Sequence, residues 1–196
     1  MIFMENGFVK LKNFQIDFFL STEKIEKKII MPRLCHGNAL VTVQTGQENM
    51  EYCDALETSR RDMHLGVATA DCAAICFGDG EKIAIAHIGW RGLAAGLIEK
   101  MLQRLNKTAL EIYVGPHLFS FEIQKDYCYE ALKQKFGEAY FHGKHGRIEF
   151  NFKEAIASLL PKGVIFDERN TKDDFRLPSF RRDKATIRLI TSVSFT

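Results

Sequence analysis

Ala70-Asp71-Cys72-Ala73-Ala74-Ile75-Cys76-Phe77-Gly78-Asp79-Gly80-Glu81-Lys82-Ile83-Ala84-Ile85-Ala86-His87-Ile88-Gly89-Trp90-Arg91-Gly92 is the stretch on which the reading of this chain turns. Two short apolar runs, Ala73 to Phe77 and Lys82 to His87, flank Gly78-Asp79-Gly80, whose residues favour a tight turn. This predicts a β-hairpin. After Gly89-Trp90-Arg91-Gly92 the period changes. Leu93, Leu97, Met101, Leu102 and Leu105 recur at helical spacing, predicting one amphipathic helix from about Leu93 to Leu105. The stretch therefore places a cysteine, Cys72, and a histidine, His87, at strand ends. A glycine-flanked loop follows the histidine and opens into a helix.

Outward from this hairpin, Ala39 to Val43 and Leu65 to Thr69 read as short strands, and Leu110 to Val114 as another, stopped by Gly115-Pro116. Tyr127 to Phe136 and Phe152 to Leu160 read as helices, the second with Asn151 as N-cap and Pro161 as terminator. Val164 to Phe166 and Thr186 to Val193 read as closing strands. The first 30 residues mix an apolar run, Phe14 to Leu20, with the basic stretch Lys24 to Lys28. Hairpins mixed with strand–helix units imply an α/β (α+β) architecture with mixed sheets, expected as a single domain over residues 1–196.

Composition narrows the function classes. The 196 residues carry 27 Lys+Arg against 25 Asp+Glu, a net charge of +2, with basic and acidic residues interspersed, which argues against a nucleic-acid-binding protein. No apolar run approaches the roughly 20 residues that span a bilayer, so no membrane association is expected. Met1 to Glu5 lack the basic and apolar regions of a signal peptide. Five cysteines, an odd number, then read as reduced cytoplasmic thiols rather than a disulfide framework.

The loop after His87 would leave backbone N–H groups free at the positive end of a helix, and Gly89 and Gly92 would let a ligand approach the main chain. Arg91 within it would hold a phosphate or carboxylate through two parallel hydrogen bonds. The alternative is a plain strand–helix turn beside a buried cysteine. His36, in Leu34-Cys35-His36-Gly37, is a third candidate. His36, Cys72 and His87 together would supply three protein ligands with a fourth position open, the arrangement of a catalytic zinc site. Cys76 reads as core, Cys53 and Cys128 as structural, and His142 and His145 as residues of an exposed loop.

Asp54-Ala55-Leu56-Glu57-Thr58, Ala70-Asp71-Cys72, His87-Ile88-Gly89-Trp90-Arg91-Gly92, Gly115-Pro116 and Ser179-Phe180-Arg181-Arg182 together resemble the laccase-domain family, over roughly His36 to Arg182. Members have been called polyphenol oxidases and are regarded as purine nucleoside phosphorylases. The resemblance implies a layered α/β/β/α-type sandwich and one zinc, with copper suited to the same ligands. The implied metal ligands are His36, Cys72 and His87. It further implies phosphorolysis of adenosine or inosine, with adenosine deaminase and methylthioadenosine phosphorylase activities. The partners are then a purine nucleoside and phosphate. Gly89, Trp90, Arg91, Gly92 and Arg181 become candidates for substrate or phosphate binding, and Asp71 for an acid/base or ligand-orienting role. Arg181 and Arg182 are the weaker candidates, since a basic pair on an exposed strand is commonly solvated. The chain departs from the family pattern at Leu34 in place of Gln, at Ala73 in place of Pro, at Asn170-Thr171 in place of Cys-Thr, and at Ser21-Thr22-Glu23 in place of Ser-Thr-Arg.

Three other readings use the same residues. A Cys–His hydrolase or transferase would take Cys72 as nucleophile and His87 as base. A multicopper oxidase would need a further copper cluster, a heavy demand on six histidines. A non-catalytic domain would use the metal as a staple, against which the open ligand position argues.

Overall fold

The computed structural model describes residues 7–144 and 146–196. The chain begins with β1 (Phe8–Lys10), β2 (Phe14–Leu20), β3 (Ile29–Ile30), β4 (Leu40–Thr42), β5 (Ala55–Thr58) and β6 (His64–Thr69). The hairpin follows as β7 (Ala73–Gly78) and β8 (Ile83–Ile88), antiparallel with Ala73 opposite Ile88 and Gly78 opposite Ile83. Its turn is held by Asp79, whose Oδ1 accepts the N–H groups of Glu81 (3.0 Å) and Lys82 (2.7 Å). This is the local side-chain-to-backbone bonding that favours Asp in turns.

Next come α1 (Trp90–Ala94), α2 (Leu97–Leu102), β9 (Glu111–Val114), β10 (Ser120–Ile123) and α3 (Tyr127–Phe136). The chain closes with β11 (Phe141–Lys144), β12 (Arg147–Asn151), α4 (Phe152–Leu159), β13 (Ile165–Phe166), α5 (Phe180–Asp183) and β14 (Leu189–Phe195). The strands form a five-stranded sheet ordered β1-β2-β14-β6-β3, a six-stranded sheet ordered β13-β9-β7-β8-β5-β4, and a three-stranded sheet ordered β10-β12-β11. Parallel pairs, β3 with β6, β4 with β5 and β13 with β9, occur within otherwise antiparallel sheets. The mixed-sheet α/β class expected from the sequence is the class observed.

β7 and β8 lie at the centre of the six-stranded sheet and are buried on both faces. Ile75, Phe77, Ala84, Ala86 and Ile88 join a core with the buried faces of α1, α2, α3 and α4. Ala74, Cys76, Ile83 and Ile85 join a second core that includes Phe14, Ile16, Leu65 and Val193 of the five-stranded sheet. Two-sided burial explains why these strands read as continuous apolar runs rather than alternating ones.

Four expectations require correction. The helix expected from Leu93 to Leu105 is two short helices, because Gly96 adopts φ +81° between them and the chain turns there. Trp90, Arg91 and Gly92 belong to α1 itself rather than to a loop before it. Arg181 and Arg182 lie on the short helix α5, not on a strand. His142, expected in a loop, is exposed but lies on the strand β11, while Met1 to Glu5 and His145 lie outside the described residues. Among the described residues no helix is long and apolar enough to cross a membrane.

Candidate metal centre

His36, Cys72 and His87 reach one point from three places in the chain. His87 is the penultimate residue of β8, Cys72 lies in the connection between β6 and β7, and His36 precedes β4. One ligand atom from each falls within 4.8 Å of the others. The two imidazoles meet edge to face at 86°, with ring centroids 4.9 Å apart. His87 is buried, Cys72 half-buried and His36 exposed, so the cluster opens to the surface on the His36 side.

A carboxylate that the sequence analysis did not single out builds the cluster. Asp54 is fully buried. Its Oδ1 accepts the Nδ1–H of His87 (2.8 Å) and the N–H of His36 (2.9 Å). Its Oδ2 accepts the N–H of Gly37 (2.7 Å) and the thiol of Cys35 (3.0 Å). The first of these bonds fixes the tautomer of His87 and leaves Nε2 to face Cys72. The backbone bonds pin the loop that carries His36, itself in the left-handed region at φ 60°. Burial would raise the pKa of Asp54, but bonds from His87, Cys35 and Gly37 outweigh it and hold the carboxyl well below its usual range.

The ligands shift one another. Burial would raise the Cys72 thiol, yet hydrogen bonding to His36 and His87 draws it down to about 7. Burial would lower His87, and Asp54 and Cys72 instead raise it to about 9. A thiol poised for ionisation between two imidazoles is the form that ligates a metal. Gly89 provides the space: a Cβ there would lie 3.2 Å from Cys72 Sγ, 3.5 Å from His36 Cδ2 and 3.9 Å from His87 Cε1. Two imidazole nitrogens and one thiolate sulfur, with a side chain excluded beside them, fit a tetrahedral zinc site with one position open.

Asp71 does not touch the histidines. Its Oδ1 accepts the hydroxyl of Thr171 (2.8 Å), its Oδ2 accepts the N–H of Arg181 (2.7 Å), and its carbonyl accepts the N–H of Leu118 (2.9 Å). These bonds hold Asp71 at φ +86°, a conformation rare for any residue but glycine, and that turn aims the neighbouring Cys72 into the cluster. Asp71 is thus a strut, and Thr171, where the family pattern has a Cys-Thr pair, is its partner.

The remaining candidates divide. Arg91 is exposed and stacks 4.5 Å from the Trp90 ring, which itself meets Tyr127 at 6.0 Å. Gly92 is buried; a Cβ on it would lie 2.9 Å from the carbonyl oxygen of Gly37, so it packs α1 onto the His36 loop and offers no surface to a ligand. α1 has only five residues, so its N-terminus carries little of the dipole expected of a full helix. Arg181 lies 4.3 Å over the Phe121 ring and donates to the carbonyl of Glu122 (3.2 Å). Arg182 is consumed internally, donating to the carbonyls of Thr171 and Leu177 and pairing with Asp183. Cys76 is in the inter-sheet core, Cys53 is buried, and Cys128 is the second residue of α3.

A family model described as "Multi-copper polyphenol oxidoreductase laccase" matches residues 15–196. A purine nucleoside phosphorylase of Aquifex aeolicus is 30% identical over 191 residues, covering 94% of this chain and 90% of that one. Purine nucleoside phosphorylase YfiH of Escherichia coli is 26% identical over 166 residues, covering 79% and 68%. Among solved structures, the hypothetical protein YfiH of Bacillus licheniformis superposes with a TM-score of 0.75 at 20% identity, over 86% of this chain and 74% of that one. YlmD of Geobacillus stearothermophilus gives 0.71 at 20% identity, over 85% and 73%.

Proposed function

The chain belongs to the family described as multi-copper polyphenol oxidoreductase laccase, and we propose that it is a zinc-dependent purine nucleoside phosphorylase acting on inosine and adenosine. The observation that carries this reading is the convergence of His36, Cys72 and His87 within 4.8 Å on a side open to solvent. The names of its relatives supply the substrate class.

In phosphorolysis the bond between ribose C1′ and the purine nitrogen breaks, and its electron pair leaves with the base, which takes up a proton. A phosphate oxygen forms the new bond to C1′, giving ribose 1-phosphate. Positive charge develops on the sugar, so positioning and electrostatics dominate the catalysis. A zinc ion held by His36, Cys72 and His87 would supply a Lewis-acid charge for an oxygen of the substrates, and copper would suit the same donors. Arg91, exposed on α1, orients the phosphate through paired hydrogen bonds, and Arg181 contacts the nucleoside. Asp54 keeps His87 in one tautomer, and Asp71 holds Cys72 in place. Adenosine deamination and methylthioadenosine phosphorolysis belong to the same proposal. Five unpaired cysteines suit a reducing, cytoplasmic compartment.

One observation favours a second reading. Asp54, His87 and Cys72 lie in series, the order of orienting acid, base and nucleophile in a Cys–His hydrolase. Metal content measured together with phosphate-dependent release of hypoxanthine from inosine separates the two. The phosphorylase reading expects near-stoichiometric zinc and phosphate-dependent turnover in the natural protein, with both lost in Cys72→Ala. Full activity of metal-free protein, abolished by alkylation of Cys72, would instead identify the hydrolase.

A further inference from the structure

A groove of about 730 Å³ lies between α5 and the strands β10 and β12. It is distinct from the metal ligands but tied to them through one residue. Leu118 and Arg181, both on its lining, donate their N–H groups to the carbonyl and carboxylate of Asp71, and Asp71 immediately precedes Cys72. The wall of the groove and the thiol of the cluster are thus held by the same strut.

The lining has an ordered chemistry. Leu118, Phe121 and Ile148 give an apolar floor. The Arg181 guanidinium carbon lies over Phe121, 4.3 Å from the ring centroid, so the aromatic ring backs this planar cation. Only one of its N–H groups has a protein acceptor among the described residues, the carbonyl of Glu122. Glu149, on β12, accepts the hydroxyl of Ser120 on Oε1 (2.7 Å), and its Oε2 has no protein hydrogen-bond donor among the described residues. A planar cation backed by an aromatic ring and a carboxylate with free acceptor capacity line the same groove, a combination that suits a flat heterocycle carrying N–H donors on one edge.

We infer that this groove is the base-recognition subsite, an inference that rests on the nucleoside reading above. The purine stacks on the Arg181–Phe121 pair, and Glu149 accepts a hydrogen bond from its edge. The donor is the exocyclic amine in adenosine and the ring N–H in inosine. Glu149 is then the specificity-determining residue for purines that carry a donor at this edge. A nucleoside without one, unsubstituted purine riboside, gains nothing from it.

Steady-state phosphorolysis and equilibrium binding of inosine, adenosine and purine riboside to the metal-loaded protein test the assignment in the natural protein, in Glu149→Gln and in Arg181→Met. Arg181→Met keeps an apolar stem over Phe121 and removes the guanidinium plane. Glu149→Gln should raise KM for inosine and adenosine at least tenfold while leaving purine riboside within twofold, a contrast that a general loss of folding does not produce. Arg181→Met should weaken all three nucleosides. Turnover by the natural protein with KM for inosine unchanged in both variants overturns the subsite and leaves the phosphorylase reading intact. Absence of phosphate-dependent turnover removes that reading; inosine binding weakened by both substitutions would then still support the subsite, and no binding would overturn it as well.

Discussion

Asp54 is buried, bears two oxygens, and gathers donors from Cys35, His36, Gly37 and His87. The candidate metal ligands have their geometry through these bonds: one histidine is held by its ring, the other by its backbone. Carboxylates that orient a ligating histidine typically contribute 10–100-fold to metal affinity. Asp54→Asn keeps the shape but replaces one acceptor oxygen with a donor, and should lower zinc affinity by about that factor. Competition with a chromophoric chelator measures it, with circular dichroism as the check on folding; a correctly folded variant of undiminished affinity would remove Asp54 from the account. Cys72 shows the same dependence on a neighbour, since its position follows from the left-handed turn at Asp71 and from the bonds that hold Asp71 there.

Among the elements, the hairpin was legible because its turn residues and apolar runs agree, and Asp79 bonds its own turn as the residue type requires. The cap of α4 was legible for the same reason: the Asn151 side chain accepts the N–H of Glu154 at 3.2 Å. Asn151→Ala should cost about 1 kcal/mol, read as a lowered urea midpoint; an unchanged midpoint would contradict the capping role. The break at Gly96 was not legible, because the leucine spacing continues across α1 and α2 and periodicity does not register a single left-handed residue. The site divides in the same way. His36, Cys72 and His87 announce themselves by residue type, whereas Asp54 becomes a partner of His87 only through strand register, which sets Ala55 opposite Ala86. Thr171 and Arg182 likewise acquire their roles from a segment that returns to the site about 100 residues after Asp71.

On the scale of the whole molecule, the six-stranded sheet is shared by two cores, and the candidate site sits where its central hairpin ends. One buried histidine ties the packing to pH. His117 is enclosed by Phe119, Phe152 and Phe166, with its Nδ1 donating to the carbonyl of Gly115 at 2.8 Å. Burial lowers its pKa to about 4; the Gly115 bond opposes that, and of the charges facing it Lys153 lowers the value while Asp167 and Glu168 raise it. The unfolded chain binds this proton near pH 6.5, so the stability is present in full above that pH and is lost as pH falls toward 4. Between pH 6.5 and 5.0 the natural protein should lose roughly 1.5 kcal/mol more than His117→Gln. Urea unfolding at both pH values reads the difference, and parallel losses would contradict it. Metal removal should shift the unfolding midpoint by the linked binding energy alone and leave both cores folded, since neither contains a ligand. The central claim is that the metal cluster carries phosphorolysis, and the most direct measurement is the yield of ribose 1-phosphate against free hypoxanthine from inosine, comparing the natural protein with His87→Ala. The account predicts a one-to-one yield that requires phosphate and disappears with zinc in the variant; full zinc content and full phosphorolysis in His87→Ala would contradict it.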